Sequence, residues 1–171
     1  STPPSQAASP ATPAPGVTWN AAGSSAATSA PTSETDHFKL ALYYQRTGDF
    51  EQALIHYRAV LEANELNAEA HNNLGLLYQD KGLYDEAIRE FRRATAIDAR
   101  YDKAHNNLGV ALLRSGNAEA AVSEFRWIVA QDGRNVESLT NLALALRASG
   151  RLSEARDHLQ RALSINNRYA N

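Results

Sequence analysis

The sequence predicts an all-α solenoid of four stacked helix–turn–helix repeats, preceded by an extended Pro/Ala/Ser/Thr-rich tail. Three observations predict it. The stretch "AHNNLGLLYQDKG" (residues 70–82) returns as "AHNNLGVALLRSG" (residues 104–116), 34 residues later. That period extends both ways without a gap, as units 34–67, 68–101, 102–135 and 136–169. All six prolines precede the first unit, so no proline interrupts a helix within the repeats.

The tail comes first in the chain. Residues 1–33 carry no charged side chain and are mostly Ala, Ser, Thr and Pro. Such a segment cannot bury enough apolar surface to offset the entropy of ordering, so alone it is predicted to be an extended linker. A glycosylated stalk and a segment that folds onto a partner are the alternatives. One residue does not suit a spacer: Trp19, in "GVTWNAAG". An indole is a common binding anchor, which makes Trp19 a candidate assembly contact.

Each repeat then reads as two helices. The first carries Leu40, Leu74, Leu108 and Leu142 at its seventh position, followed by the small residues Ala41, Gly75, Gly109 and Ala143. Three residues on stand Tyr44, Tyr78, Leu112 and Leu146. A glycine ends this helix each time, at Gly48, Gly82, Gly116 and Gly150. The second helix carries Ala53, Ala87, Ala121 and Ala155, then Tyr57, Phe91, Phe125 and Leu159, then Val60, Ala94, Ile128 and Ala162. Spacings of 3, 4 and 7 place these on one helical face. Small residues let large ones from a neighbouring helix approach closely. A single helix pair cannot bury its stripe, so stacking is expected to bury one continuous core.

Composition narrows the function. The 171 residues carry a net charge of −2, which points to no nucleic-acid or anionic-membrane partner. There is no cysteine, hence no disulfide, thiol nucleophile or thiolate metal site. No apolar run approaches the ~18 residues that span a bilayer, so no direct membrane insertion is expected. The chain begins at Ser1 rather than Met, so a processed product or a fragment is expected, with any targeting segment out of view.

The period and the small/large positions resemble the tetratricopeptide repeat over residues 34–169. The resemblance implies a right-handed solenoid whose first helices line a concave groove, with positions 5, 6 and 9 among those facing it. Position 6 is Lys39, Asn73, Asn107 and Asn141; position 5 is Phe38, Asn72, Asn106 and Thr140; position 9 is Leu42, Leu76, Val110 and Leu144. One departure concerns the family's frequent proline near the end of each unit. Here those places hold Glu65, Ala99, Gly133 and Asn167, which is expected to loosen the turns between units.

Asparagine is a poor helix former because its amide competes with the backbone. Its return at one groove position in three successive repeats therefore asks for a reason. An Asn amide offers a donor and an acceptor, so it can pair with the backbone of an extended peptide. The row is similar to the asparagine ladder of the O-linked N-acetylglucosamine transferase superhelix. The candidate peptide-binding residues are Asn72, Asn73, Asn106, Asn107 and Asn141, flanked by an exposed stripe of Leu42, Leu76, Val110 and Leu144. The alternative is that these asparagines are idle or purely structural. The related clamp for chaperone C-termini is not expected. Asn73 and Lys103 match its pattern, but Phe38, Leu42 and Asn107 do not, and without its cations a terminal carboxylate is poorly held.

His37, His71 and His105 share position 4 of successive units. Equivalent points in stacked helices lie about 8–10 Å apart, too far for one zinc, so these rings are expected to pack between helices. No nucleophilic triad, phosphate loop or paired-carboxylate signature is present, and no cofactor or metal is implied. Position 26 reads Ala59, Arg93, Trp127 and Arg161, so Trp127 fills either a local pocket or a second contact surface. The last helix shows Leu159, Leu163 and Ile165 at what would be the open end, blunted by Arg156 where earlier units have Leu54, Ile88 and Val122. Trp19, Trp127, Leu159 and Leu163 are the candidate assembly contacts.

The reading is a non-enzymatic protein–protein interaction scaffold that binds an extended peptide segment in its groove. One alternative is a self-assembling structural subunit (filament, coat or envelope complex), a homo-oligomer joined through the tail and the open ends. The other is a regulatory domain of a larger protein. The uncharged Ser/Thr/Pro tail favours an extracytoplasmic bacterial protein over a cytoplasmic one.

Overall fold

A computed structural model describes residues 33–169. The chain divides into Ser1–Thr32 and Ser33–Asn171, and the described residues of the second unit form eight helices. They are α1 (Glu34–Thr47), α2 (Phe50–Ala63), α3 (Ala68–Asp80), α4 (Tyr84–Ile97), α5 (Asp102–Arg114), α6 (Ala118–Gln131), α7 (Val136–Ala148) and α8 (Leu152–Tyr169). No strand occurs among the described residues. Each helix packs on its chain neighbours, and α3, α5 and α7 also touch in succession. This is the all-α solenoid that the 34-residue period predicts.

Local chemistry sets the helix ends. Gly48, Gly82, Gly116 and Gly150 have φ of 80°, 73°, 87° and 80°, the left-handed region that costs an L-residue about 1–2 kcal/mol. The same position therefore turns each first helix into its second. Ser33, Asp49, Asn67, Asn117 and Asn135 cap helices with their side chains, each accepting a backbone N–H three residues on.

The turns between units lack the family's proline but are tied in another way. Asn64, Asp98 and Asp132 each accept the backbone N–H two residues on, at 3.2, 2.9 and 2.9 Å. The carbonyls of Glu65 and Ala99, in the proline positions, accept from His71 Nε2 (3.0 Å) and His105 Nε2 (3.3 Å). The expected loosening is offset by these bonds.

The same histidines hold each unit together. His71 Nδ1 lies 2.7 Å from Glu90 Oε2, and His105 Nδ1 lies 2.8 Å from Glu124 Oε2. Each ring thus lies between a carboxylate on one side and a backbone carbonyl on the other, both acceptors. In the first unit the Glu position is His56, whose Nδ1 is 2.9 Å from His37 Nδ1. One ring donates and the other accepts there. Burial, and then the neighbouring His37, hold His56 below the ordinary histidine range.

Packing follows the small/large alternation. A Cβ placed on Gly75 would sit 2.6 Å from Phe91 Cε1, and one on Gly109 would sit 2.7 Å from Phe125 Cζ. Both rings are fully buried. The core is not continuous, however. Ala41, Ala53, Tyr57, Leu74 and Leu77 form one cluster, and a larger one runs from Ala87 on α4 to Ala155 on α8. Leu139, Ala162 and Ile165 form a third. Ile165 is thus inside, not on the open end. The break between the first two clusters falls between α3 and α4, within the second unit, and Tyr78 packs against both.

Among the described residues, one buried side-chain oxygen has an unmet hydrogen bond. In the first unit Tyr57 donates its hydroxyl to Gln45 Oε1 at 2.6 Å, and burial pushes that hydroxyl well above the usual tyrosine range. In the second unit the equivalent pair is Gln79 and Phe91, and Gln79 Oε1 is buried with no donor. Phe91→Tyr supplies one. It is expected to raise unfolding stability by about 0.5–1.5 kcal/mol, measured by urea denaturation. Unchanged or lower stability would show that the hydroxyl does not reach Gln79.

Candidate functional site

The asparagines of α3, α5 and α7 meet each other before they meet any ligand. Asn107 Nδ2 donates to Asn72 Oδ1 at 2.9 Å, and Asn141 Nδ2 donates to Asn106 Oδ1 at 3.1 Å. Position 6 of one unit thus clasps position 5 of the unit before it, 35 residues away in sequence. Asn72 Nδ2 reaches on to Asn73 Oδ1 (3.4 Å), and Asn106 Nδ2 to Glu137 Oε1 (3.4 Å). The first unit has Phe38 at position 5, so Asn73 has no such clasp to it.

Two expectations are corrected here. Asn72 is only 3 % exposed, because the next unit sits over it and takes its oxygen. Its oxygen is taken by Asn107, and little of the side chain is left open to the groove cavity that it helps to line. The position-9 residues do not form one exposed stripe either. Leu42 and Leu144 are exposed, but Leu76 and Val110 are half-buried against the main core. The middle of the stripe is thus partly covered rather than open.

What remains is a cavity of about 420 Å³ on the first-helix side. Asn72, Asn73, Asn106, Asn107 and Leu76 line it; Asn141, Leu42, Val110 and Leu144 lie outside it. Asn73, Asn106, Asn107 and Asn141 are all half-buried. Glu69, Asp102 and Glu137 face it against the single ammonium of Lys103, so its rim is acidic. Tyr101, at the start of α5, also lines it. Burial first, then the Glu69 and Asp98 charges, push the Tyr101 hydroxyl above its ordinary value, which keeps it a hydrogen-bond donor.

The family model for the tetratricopeptide repeat matches residues 38–105 and 106–170. The chain belongs to the tetratricopeptide repeat family. A crystal structure of MamA has the same fold at 21% identity, with 82% of each chain covered and a TM-score of 0.76. MamA 41-end from Desulfovibrio magneticus RS-1 matches at 18% identity over 78% of this chain and 76% of that one, with a TM-score of 0.74. MamA MSR-1 matches at 20% identity over 80% and 79%, with a TM-score of 0.72. No curated protein matches the chain.

The remaining candidate residues fall at definite places in the tetratricopeptide units. Trp127 is half-buried and stacks on His105, with centroids 3.9 Å apart and planes at 20°. It packs against its own unit, with part of the ring left at the surface. Leu159 and Leu163 are 42 % and 61 % exposed on the last tetratricopeptide helix. Trp19 lies outside the described residues. Among the described residues no helix is long and apolar enough to cross a membrane. The histidine row of the tetratricopeptide units brings no three metal-ligating side chains together among those residues.

Two structural devices escaped the sequence reading. The His–Glu pairs of the tetratricopeptide units recur at a spacing of 19, as His71–Glu90 and His105–Glu124. The Asn–Asn clasps recur at a spacing of 35. Both spacings are visible in the sequence once a partner at position 23, or at position 5 of the unit before, is looked for.

Proposed function

We propose that the helical unit is a non-enzymatic interaction scaffold that holds an extended peptide segment against the first helices, along Asn73, Asn107 and Asn141. The observation that carries this reading is the amide clasp. Asn107 and Asn141 each spend one N–H on the unit before, which fixes their rotamers and leaves each an oxygen and a second N–H for a peptide backbone. A side chain already held in place loses less entropy on binding. Backbone pairing of this kind leaves the ligand's side chains loosely specified. The acidic rim then selects against carboxylates, so the fitting segment is basic or uncharged rather than a free C-terminus.

Peptides selected from a display library against the intact chain test this. Binding is expected at roughly micromolar strength, since each hydrogen bond adds a net ~0.5–1.5 kcal/mol. Asn73→Ala, Asn107→Ala and Asn141→Ala together should weaken the selected peptides at least tenfold. The same triple change removes two clasps, so its melting point falls as well. Asn72→Ala and Asn106→Ala, which break the clasps from the other side, separate the two effects. Equal peptide affinity in the triple variant would sink the groove reading.

A second reading, a self-assembling subunit, is favoured by one observation. Leu152, Leu159 and Leu163 are exposed along the outer side of the last helix, where a further unit would otherwise stack.

A further inference from the structure

The two end helices of the helical unit, α1 and α8, present the two halves of a junction that the chain builds three times within itself. At each inner junction the second helix of one unit packs on the first helix of the next: α2 on α3, α4 on α5 and α6 on α7. Position 17 meets position 11, as Phe50 and Tyr78 do with ring centroids 6.2 Å apart. Position 21 (Leu54, Ile88, Val122) packs into the cluster that holds positions 7, 10 and 11 of the following unit. Position 28 meets position 4, as Val129 packs against the cluster that holds Leu139.

Among the described residues, the matching positions at the two ends have no such neighbour. On α8 they are Leu152, Arg156 and Leu163, and the two leucines are 64 % and 61 % exposed. On α1 the facing positions hold His37, Leu40, Tyr43 and Tyr44. Tyr43, at position 10, is 46 % exposed, whereas Leu77, Ala111 and Ala145 at that position are buried. Each face also carries one residue unlike its inner counterparts, and positions 21 and 10 face each other across a junction. Arg156 replaces an apolar residue and stays exposed, 3.9 Å from Asp157. Against the leucine or alanine of an ordinary following unit, its guanidinium would be buried without a partner, at a cost. Against Tyr43 it would lie on an aromatic ring, which attracts a cation.

The amide clasps point the same way. Within the chain, position 6 of one unit donates to position 5 of the unit before. At the ends these positions are Lys39 on α1 and Thr140 on α7. Thr140 Oγ1 spends its own hydrogen on the Val136 carbonyl at 2.8 Å, which leaves the oxygen free to accept from an ammonium.

We propose that α1 of one copy of this chain stacks on α8 of another, repeating the inner junction, with Arg156 on Tyr43, Leu163 over His37 and Lys39 donating to Thr140. This rests on the self-assembly reading above and names its contact. The two surfaces differ, so the join is heterologous, and repeating the solenoid's own step makes growth open-ended rather than a closed two-fold pair.

The test mixes two variants of the intact chain. Leu163→Lys spoils only the α8 face, and Tyr43→Lys only the α1 face. Both side chains are exposed, so each variant keeps its helices, as circular dichroism would verify. In sedimentation and light scattering the unaltered chain is expected to grow past the dimer as its concentration rises. Each variant alone should associate at least about tenfold more weakly. An equimolar mixture should form one-to-one dimers, through the intact α8 face of one variant and the intact α1 face of the other. Arg156→Glu should weaken growth as well, whereas Tyr43→Phe keeps the ring and should not. An unaltered chain that stays monomeric would overturn both this proposal and the self-assembly reading. Three outcomes would overturn the stacking and leave self-assembly standing: a Tyr43→Lys chain that still dimerises alone, growth untouched by either lysine, or a mixture that stays monomeric.

Discussion

Replacing Phe125 by Ala lowers the stability of the helical unit by about 3–5 kcal/mol. The ring is fully buried on α6 and lies against Gly109 on α5, at the centre of the largest apolar cluster. Its loss removes buried apolar area and leaves a hole that rigid helices on both sides cannot close. Domains of this size are stable by only ~5–15 kcal/mol, so the loss is a large share of the whole. Because stacked units stabilise their neighbours, urea denaturation followed by circular dichroism should also become less cooperative. A loss below about 1 kcal/mol would mean that α5 and α6 collapse onto the hole, and that the ring is not their main contact.

Gly109→Leu is the complementary change and is expected to cost about 1–3 kcal/mol by overpacking. Even a methyl group there would fall 2.7–3.1 Å from three atoms of the Phe125 ring, inside van der Waals contact. The ring is buried, so it has no free direction in which to yield. The fourth unit has Ala143 where Gly109 stands and Leu159 where Phe125 stands, and Leu159 is 42 % exposed, so no buried ring stands at that place. Gly109→Ala with Phe125→Leu should therefore cost less than the sum of the two single changes, a coupling that a double-mutant cycle reads directly. A Gly109→Leu chain that melts with the wild type would place the α5–α6 contact elsewhere.

Both changes act on residues whose roles the sequence alone could assign. The period of 34, the glycine after each first helix and the pairing of a small residue with a large one are properties of helix geometry, and helix geometry repeats locally. Gly48, Gly82, Gly116 and Gly150 adopt the left-handed turn that their spacing demands. Phe91 and Phe125 are buried where the alternation puts them. The histidines pack between helices, and Arg156 faces solvent at the last unit.

What the sequence could not decide was how each unit is turned against the next. Asn72 and Asn73 are adjacent in sequence and both line the groove cavity, yet Asn72 is 3 % exposed and held by Asn107 of the following unit, whereas Asn73 is half-buried. Leu76 and Val110 share a position with Leu42 and Leu144, yet only the latter pair is exposed, since the middle units have neighbours on both sides. Trp127 could have faced solvent until His105 was seen beneath it. A trough between α2 and α4 is lined by Leu61, Tyr78 and Ile97, where the equivalent positions 34 residues on hold Thr95, Leu112 and Gln131. Helix faces are written in local periodicity, whereas contacts between units depend on ångström-scale offsets that no single stretch of sequence carries.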